Sequence, residues 1–276
     1  MMVWVVAAVV LNLHPGILAA PQVPCFFIFG DSLVDNGNNN NIQSLAKANY
    51  LPYGIDFPRG PTGRFSNGKT TVDVVAQLLG FDDYIPPYAR ARGQEVLKGV
   101  NYASAAAGIR PETGQQLNLY NYGARKFALV GVGQIGCSPN ALAQNSPDGS
   151  TCVQRINDAN RIFNSKLKAL VDDFNRNATD AKFIYIDAYG IFQDLIDNPS
   201  SFGFRVKNAG CCGVGRNNGQ ITCLPLQTPC RNRNEYLFWD AFHPTEAANV
   251  IVGRRSYSAQ KASDAYPFDI HHLAQL

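Results

Sequence analysis

A chain of 276 residues with 46% hydrophobic and 16% charged side chains has the length for one large domain or two small ones, and enough apolar content for a real core, which argues against a disordered tail. Lys and Arg total 24 against 21 Asp and Glu, a net charge of +3. The basic residues are scattered and form no run, which argues against a nucleic-acid partner.

The N-terminus reads as a targeting segment. Residues 3–13 (VWVVAAVVLNL) are a short apolar run, followed by His14, Pro15, Gly16 and the small pair Ala19 and Ala20. The run is too short to span a bilayer. It fits the core of a secretory signal peptide cleaved near Ala20, although no Lys or Arg precedes it. A membrane anchor and a buried strand are the competing readings. No later stretch is long and apolar enough to cross a membrane. The expected organisation is therefore a signal peptide over 1–20 and a single domain over 21–276.

Strand and helix signals then alternate. Residues 25–29 (CFFIF) form a compact apolar run ending at Gly30, the pattern of a buried strand. Residues 70–79 repeat apolar side chains at helical spacing and stop at Gly80. A short strand is expected at 100–103 and another buried strand at 127–132 (FALVGV). Val153, Ile156, Phe163, Leu167, Leu170 and Phe174 mark the apolar face of a long amphipathic helix. Residues 183–186 (FIYI) give the next strand, ended by Asp187, and 244–252 a final helix with Pro244 in its first turn. This alternation predicts an α/β fold with a mostly parallel sheet covered on both faces. Sites in such sheets form beyond the carboxyl ends of the strands.

Seven cysteines fit the secretory reading: Cys25, Cys137, Cys152, Cys211, Cys212, Cys223 and Cys230. Four lie within a Gly-, Asn- and Pro-rich stretch at 211–230, where cross-links add most. Zinc is the competing reading, but no CxxC pair occurs and no His lies in the cluster. Cys137 and Cys152 flank a polar loop that they are placed to close. Adjacent Cys211 and Cys212 are expected to bond to different partners; an odd count leaves one thiol over. Asn177 opens the only N-glycosylation sequon.

The candidate chemistry lies at the two ends. Ser32 follows the first strand at once, on a turn opened by Gly30, and a hydroxyl there needs a positioned base. Asp240 and His243 are three residues apart, a spacing that puts both on one face of a turn, where the carboxylate holds the imidazole tautomer. Pro244 keeps His243 out of helical conformation. Phe238, Trp239 and Phe242 are candidate pocket walls. Taken singly, Gly30-Asp31-Ser32 is also an ordinary turn, and His243 also a surface residue at a helix mouth.

Together these segments resemble a known family. Residues 27–39 (FIFGDSLVDNGNN) are similar to the first block of the plant GDSL esterase/lipases of the SGNH hydrolase superfamily. Residues 63–68 (GRFSNG), 99–108 (GVNYASAAAG), Cys211-Cys212-Gly213 and 238–245 (FWDAFHPT) resemble further blocks in the family's order. The resemblance implies a three-layer α/β sandwich of flavodoxin-like type. It implies Ser32 as nucleophile, His243 as base, Asp240 as its orienter, and backbone N–H groups of Ser32 and of a residue near Ala105 as oxyanion donors. The expected activity is hydrolysis of small-molecule or lipid carboxylic esters through an acyl-enzyme, secreted to the cell exterior or wall, with no metal or organic cofactor. Acyl transfer to a second alcohol would use the same site.

One block is missing. Between Gly108 and the strand at 127 lies only IRPETGQQLNLYNYGARK, where the family carries a longer segment with a central strand and a G-x-N-D motif whose Asn completes the oxyanion hole. Asn118 and Asn121 stand in the connector, neither in that context. The chain reads as a form shortened between 109 and 126, its sheet lacking a central strand, with room for one short helix at 117–122 ended by Gly123. The expectation is an intact Ser-His-Asp arrangement beside an incomplete oxyanion hole. The alternative is a catalytically silent secreted binding or decoy protein that keeps the fold.

Overall fold

A computed structural model describes residues 20–108 and 119–276. The core of the expected signal peptide and Asn118 lie outside them. Residues 26–30 run extended and parallel to 98–104. Phe26 N–H donates to the Lys98 carbonyl, Ile28 N–H to Val100, Tyr102 N–H to Ile28 and Ser104 N–H to Gly30. On its far edge 98–104 meets 86–88 through the parallel bridge Pro87–Asn101. Between them, helix α1 (Thr71–Leu78) starts at a capping box of Thr70 and Asp73 and is followed by Gly80 in left-handed conformation, as its sequence predicts.

The rest of the chain runs β1 (Lys126–Val130), α2 (Pro139–Asn145), α3 (Gln154–Asn177), β2 (Lys182–Ile186), α4 (Ala188–Asp197), β3 (Val206–Gly210), β4 (Tyr236–Phe238), α5 (Glu246–Tyr257), β5 (Ala265–Tyr266) and α6 (Ile270–Gln275). Strands β1 and β2 pair in parallel from Lys126–Lys182 to Val130–Ile186, β5 lies antiparallel on the other edge of β2, and β3 pairs in parallel with β4. The fold is α/β with mostly parallel strands, as expected. No helix among the described residues is long and apolar enough to cross a membrane.

Several expectations are corrected. The segments 25–29 and 127–132 are not buried strands. Within the first, only Ile28 is buried and Phe27 is 44% exposed; β1 buries none of its residues, and Val130 is 57% exposed. The reason is a missing neighbour. No backbone hydrogen bond joins 26–30 to β1 among the described residues, so both present an unpaired edge where a parallel sheet would continue. The apolar face of α3 is also poorly covered, with Leu170 and Phe174 exposed, because the sheet beneath it among the described residues is the narrow β1–β2–β5. Its buried stripe is instead Asn157, Asn160, Asn164 and Val171. The three amides bond the backbone of the loop after β1, at Gly136, Gly133 and Val132. Pro244 precedes α5 rather than starting it, and α5 is not the last helix, since α6 follows. Residues 119–123 form a turn, not a helix, ended by Gly123 at φ 96°.

Three disulfides are present: Cys137–Cys152, Cys211–Cys230 and Cys212–Cys223, with Cys25 left over as a thiol. Adjacent Cys211 and Cys212 do bond to different partners. Asn177 is exposed at the last residue of α3.

The open edge of β1 makes a testable prediction. A charged residue on such an edge blocks strand addition by other chains. Val130→Lys is expected to lower heat-induced light scattering and concentration-dependent self-association, with stability changed by no more than about 0.5 kcal/mol, the usual effect of an exposed substitution. Scattering and gel-filtration profiles identical to those of the unsubstituted protein would show that this edge is not the route of association.

Candidate active site

Ser32 stands on the turn leaving the 26–30 strand. Asp31 organises this turn: its carbonyl accepts the N–H groups of Val34 and Asp35, and its carboxylate accepts that of Leu33. Gly30 is required by close approach, because a Cβ there would lie 2.6 Å from a methyl of Val34. The partners of Ser32 come from the segment after β4. Trp239 N–H donates to the His243 carbonyl at 2.7 Å, closing a tight turn over 239–243. Cys211 and Cys212 donate from the end of β3 to the Phe238 and Trp239 carbonyls, so the paired cysteines flank that turn.

These two turns meet. Ser32 Oγ lies 2.8 Å from His243 Nε2, and His243 Nδ1 lies 2.8 and 2.9 Å from the two oxygens of Asp240. A proton on Nδ1, shared with the carboxylate, leaves Nε2 as acceptor for the Ser32 hydroxyl. Ser32 is half-buried, His243 is buried and Asp240 has no exposed surface. Burial pushes the Asp240 carboxyl up, but the charge of His243 and hydrogen bonds from His243, Tyr53 and the Phe242 N–H outweigh it and hold the group below the usual carboxylate range. An activated hydroxyl, a base and an orienting carboxylate in this order are the parts of nucleophilic acyl transfer.

The sequence model of the family described as GDSL-like lipase/acylhydrolase matches residues 26–122 and 114–256. The chain belongs to this family. One GDSL esterase/lipase of Arabidopsis thaliana is 57% identical over 338 residues, covering 93% of both chains. A second is 54% identical over 358 residues, covering all of this chain and 98% of its own. That alignment is 82 positions longer than the 276 residues of this chain. The two segments that match the family overlap at 114–122, within the connector ahead of β1.

The GDSL block around Ser32 carries a second buried carboxylate, Asp35. It accepts the N–H groups of Gly37 and Asn38 at 2.8 Å and of Ala105 at 3.0 Å. This corrects the assignment of Ala105 as an oxyanion donor: its N–H is already bonded to Asp35. In the two turns the N–H groups of Ser32 and Ala106 have no partner among the described residues. The asparagine run, which as sequence is only a low-complexity patch, is a 3-10 turn (Asn38–Asn41) that ties the two blocks together. Asn38 Nδ2 donates to the carbonyls of Asn101 and Ala103, Asn39 Nδ2 to that of Ala105, and Ser104 Oγ to Asn39 Oδ1.

The GRFSNG block is structural support. Arg64 forms a buried two-point bond with Asp73 of α1, and Asn67 Oδ1 accepts the first N–H of α5. Its Phe65 packs on the His243 ring at 5.1 Å. The expected pocket walls are corrected accordingly. Phe238 and Trp239 are core residues, and of these three Phe242, half-exposed, is the one whose ring meets that of His243. A cleft of about 820 Å³ near Phe57, Arg59 and Tyr84 contains neither Ser32 nor His243. Asn121 is exposed, and among the described residues its side chain forms no hydrogen bond and no side-chain amide hydrogen-bonds to Ser32.

Ala106 sits at φ 67°, a left-handed conformation that a Cβ disfavours by about 1–2 kcal/mol. Ala106→Gly relieves this and adds unfolded-state freedom, so a net gain of about 0.5–1 kcal/mol is expected from denaturant unfolding. A loss of stability would mean that the methyl group makes contacts worth more than the strain.

Proposed function

We propose that this chain is a secreted serine esterase/lipase that hydrolyses carboxylic esters through an acyl-enzyme on Ser32. The observation that carries the reading is the unbroken hydrogen-bonded series Ser32–His243–Asp240. In this mechanism His243 Nε2 takes the hydroxyl proton as Ser32 Oγ bonds to the ester carbonyl carbon. The tetrahedral intermediate collapses, the carbon–oxygen bond to the alcohol breaks, and His243 returns the proton to the leaving alkoxide. Water, deprotonated by His243, then attacks the acyl carbon, the bond to Ser32 Oγ breaks, and His243 returns the proton to Oγ as the acid leaves. Asp240 orients the ring and stabilises its charged form. The N–H groups of Ser32 and Ala106, without partners among the described residues, are backbone donors that can meet the oxyanion. The chemistry uses no cofactor, and the substrate is a small-molecule or lipid ester.

The domain spans 21–276 and is shortened between 109 and 126. The longer alignments to relatives and the overlap of the two family segments in the connector support this. Loss of an oxyanion Asn lowers turnover by about 10²–10³-fold. That absence is also what favours the second reading, a silent binding or decoy protein on the same fold. A fluorophosphonate separates the two. The esterase reading expects covalent labelling of the wild-type protein, none of Ser32→Ala, and slow hydrolysis of p-nitrophenyl butyrate lost with the same substitution. Labelling equal in Ser32→Ala would sink it.

Export is supported by three disulfides, which persist in oxidising compartments. Residues 1–20 are then a cleaved leader, and exposed Asn177 a glycan acceptor. N-terminal sequencing of protein from the medium should read from near Pro21; stable protein that begins at Met1 or Met2 would refute the leader.

A further inference from the structure

Asp240 has no contact with water, so every acceptor position it offers must be met from the protein. Oδ1 accepts the N–H groups of Phe242 and His243, both at 2.8 Å, and faces His243 Nδ1. Those donors belong to the Asp240–His243 turn itself. Oδ2, itself 2.9 Å from His243 Nδ1, is met in addition by two hydroxyls from distant parts of the chain: Tyr53 at 2.6 Å and Thr222 at 3.0 Å. The two hydroxyls are also 2.8 Å from each other.

Three contacts are shared by two hydroxyl protons. Either both protons point at Oδ2, or Thr222 donates to Tyr53 and Tyr53 donates to Oδ2. The phenol, the stronger acid at the shorter distance, donates to the carboxylate in both arrangements. Neither hydroxyl is a loose surface group. The Tyr53 ring is 1% exposed and packed edge-on against Tyr50, Phe65 and Trp239. Thr222 directly precedes Cys223, which is bonded to Cys212, and the Cys223 carbonyl accepts the Tyr50 hydroxyl. The disulfide cluster thus delivers a hydroxyl to the acid end of the site.

We propose that Tyr53 and Thr222 are positioning residues for ester hydrolysis, holding Asp240 ionised and fixed in the orientation that keeps the His243 ring against Ser32. The inference rests on the esterase reading given above. It has a signature that packing alone does not have. Donors to Oδ2 stabilise the state in which Asp240 is anionic and His243 neutral, more than the state carrying one further proton. Their removal makes the pair take up that proton more readily, so the acid limb of reactivity moves to higher pH. The other ionisable group that feels the Asp240 charge is Tyr50, a phenol raised first by burial and then by that charge; no Lys or Arg bonds to the carboxylate among the described residues.

The test is the pH dependence of the rate constant for fluorophosphonate labelling, with the final stoichiometry giving the fraction of folded sites. It uses the full chain and does not depend on completed turnover. Tyr53→Phe keeps the ring and loses only the hydroxyl. It is expected to lower the plateau rate constant about tenfold and to raise the acid limb by about 0.5–1 pH unit, at unchanged stoichiometry. Thr222→Val should act in the same direction and less, Thr222→Ser should restore most of the rate, and the double variant should be non-additive because the hydroxyls share one chain of bonds. If Tyr53→Phe does not fold, the Val and Ser variants at 222 carry the test alone. An acid limb that does not move in the folded variants, or a fall confined to stoichiometry, overturns the inference. Ser32→Ala keeps the two failures apart. Labelling that survives Ser32→Ala overturns the esterase reading, whereas labelling lost in Ser32→Ala with an unshifted Tyr53→Phe profile overturns only this proposal.

Discussion

A carboxylate removed from water costs several kcal/mol unless donors surround it, and this structure carries two such groups at its proposed reaction centre. Asp35 and Asp240 are both without exposed surface. Asp35 gathers the backbone of its own turn and the N–H of Ala105, which ties the Ser32 turn to the 98–104 strand. Asp240 gathers the backbone of its own turn, the His243 ring and two hydroxyls. Each half of the site is therefore a loop wound round a buried anion. The electrostatics of the two differ. At Asp35 desolvation dominates and lifts the carboxyl above its usual range despite the N–H groups of Gly37, Asn38, Ala105 and Asn39. At Asp240 the nearby imidazole tips the balance the other way.

The residues legible in the sequence were those whose geometry is local. Ser32 behind an apolar strand and Asp240 three residues before His243 are short-range patterns, and the structure brings these three side chains together. What escaped was non-local. The Ala105 N–H is taken by Asp35, some 70 residues earlier, so which N–H the 104–107 turn leaves free is not a local property. Tyr53 is 187 residues from Asp240 and nothing in its surroundings signals a partner. Of the asparagine run, Asn38 and Asn39 fall at the end of the block that resembles the GDSL family, and Asn40 and Asn41 lie beyond it. The run's side chains bond carbonyls that no composition rule would name.

Helix α3 shows a different limit. Periodicity picks out its apolar positions correctly as one face, but burial is decided by what lies beneath. A loop after β1 with unpaired backbone groups selects Asn157, Asn160 and Asn164, while Leu170 and Phe174 remain exposed for want of sheet. Phe127 and Phe183 stack at 4.4 Å and Phe174 packs on the same ring, so a small cluster does form. It is separate from the cluster around Ile28, Ala76 and Ile85 that backs the first strand. Parallel strands are normally buried on both faces and paired on both sides. Here the cluster on β1 and the cluster behind the first strand stay separate where a continuous sheet would join them.

The split does not run through the site, and the hydrogen bonds explain why. Ser32 is fixed by Asp31, by the 98–104 ladder and by the asparagine turn. Asp240 and His243 are fixed by Cys211, Cys212, Tyr53, Thr222 and Phe65. Neither set includes a residue of β1 or β2. One backbone bond, from Asn140 of α2 to the Ala241 carbonyl, reaches the Asp–His turn from the segment between those strands. The cluster beneath the site, with Tyr53, Phe65, Ala105, Trp239 and three disulfide cysteines, is likewise drawn from outside the open sheet. The gap borders the 26–30 strand that leads into the Ser32 turn, but the bonds that fix the two turns come from the other side of that strand and from the segments around Tyr53, Cys211 and Thr222. Stability and site geometry are separable in this chain because different contacts supply them.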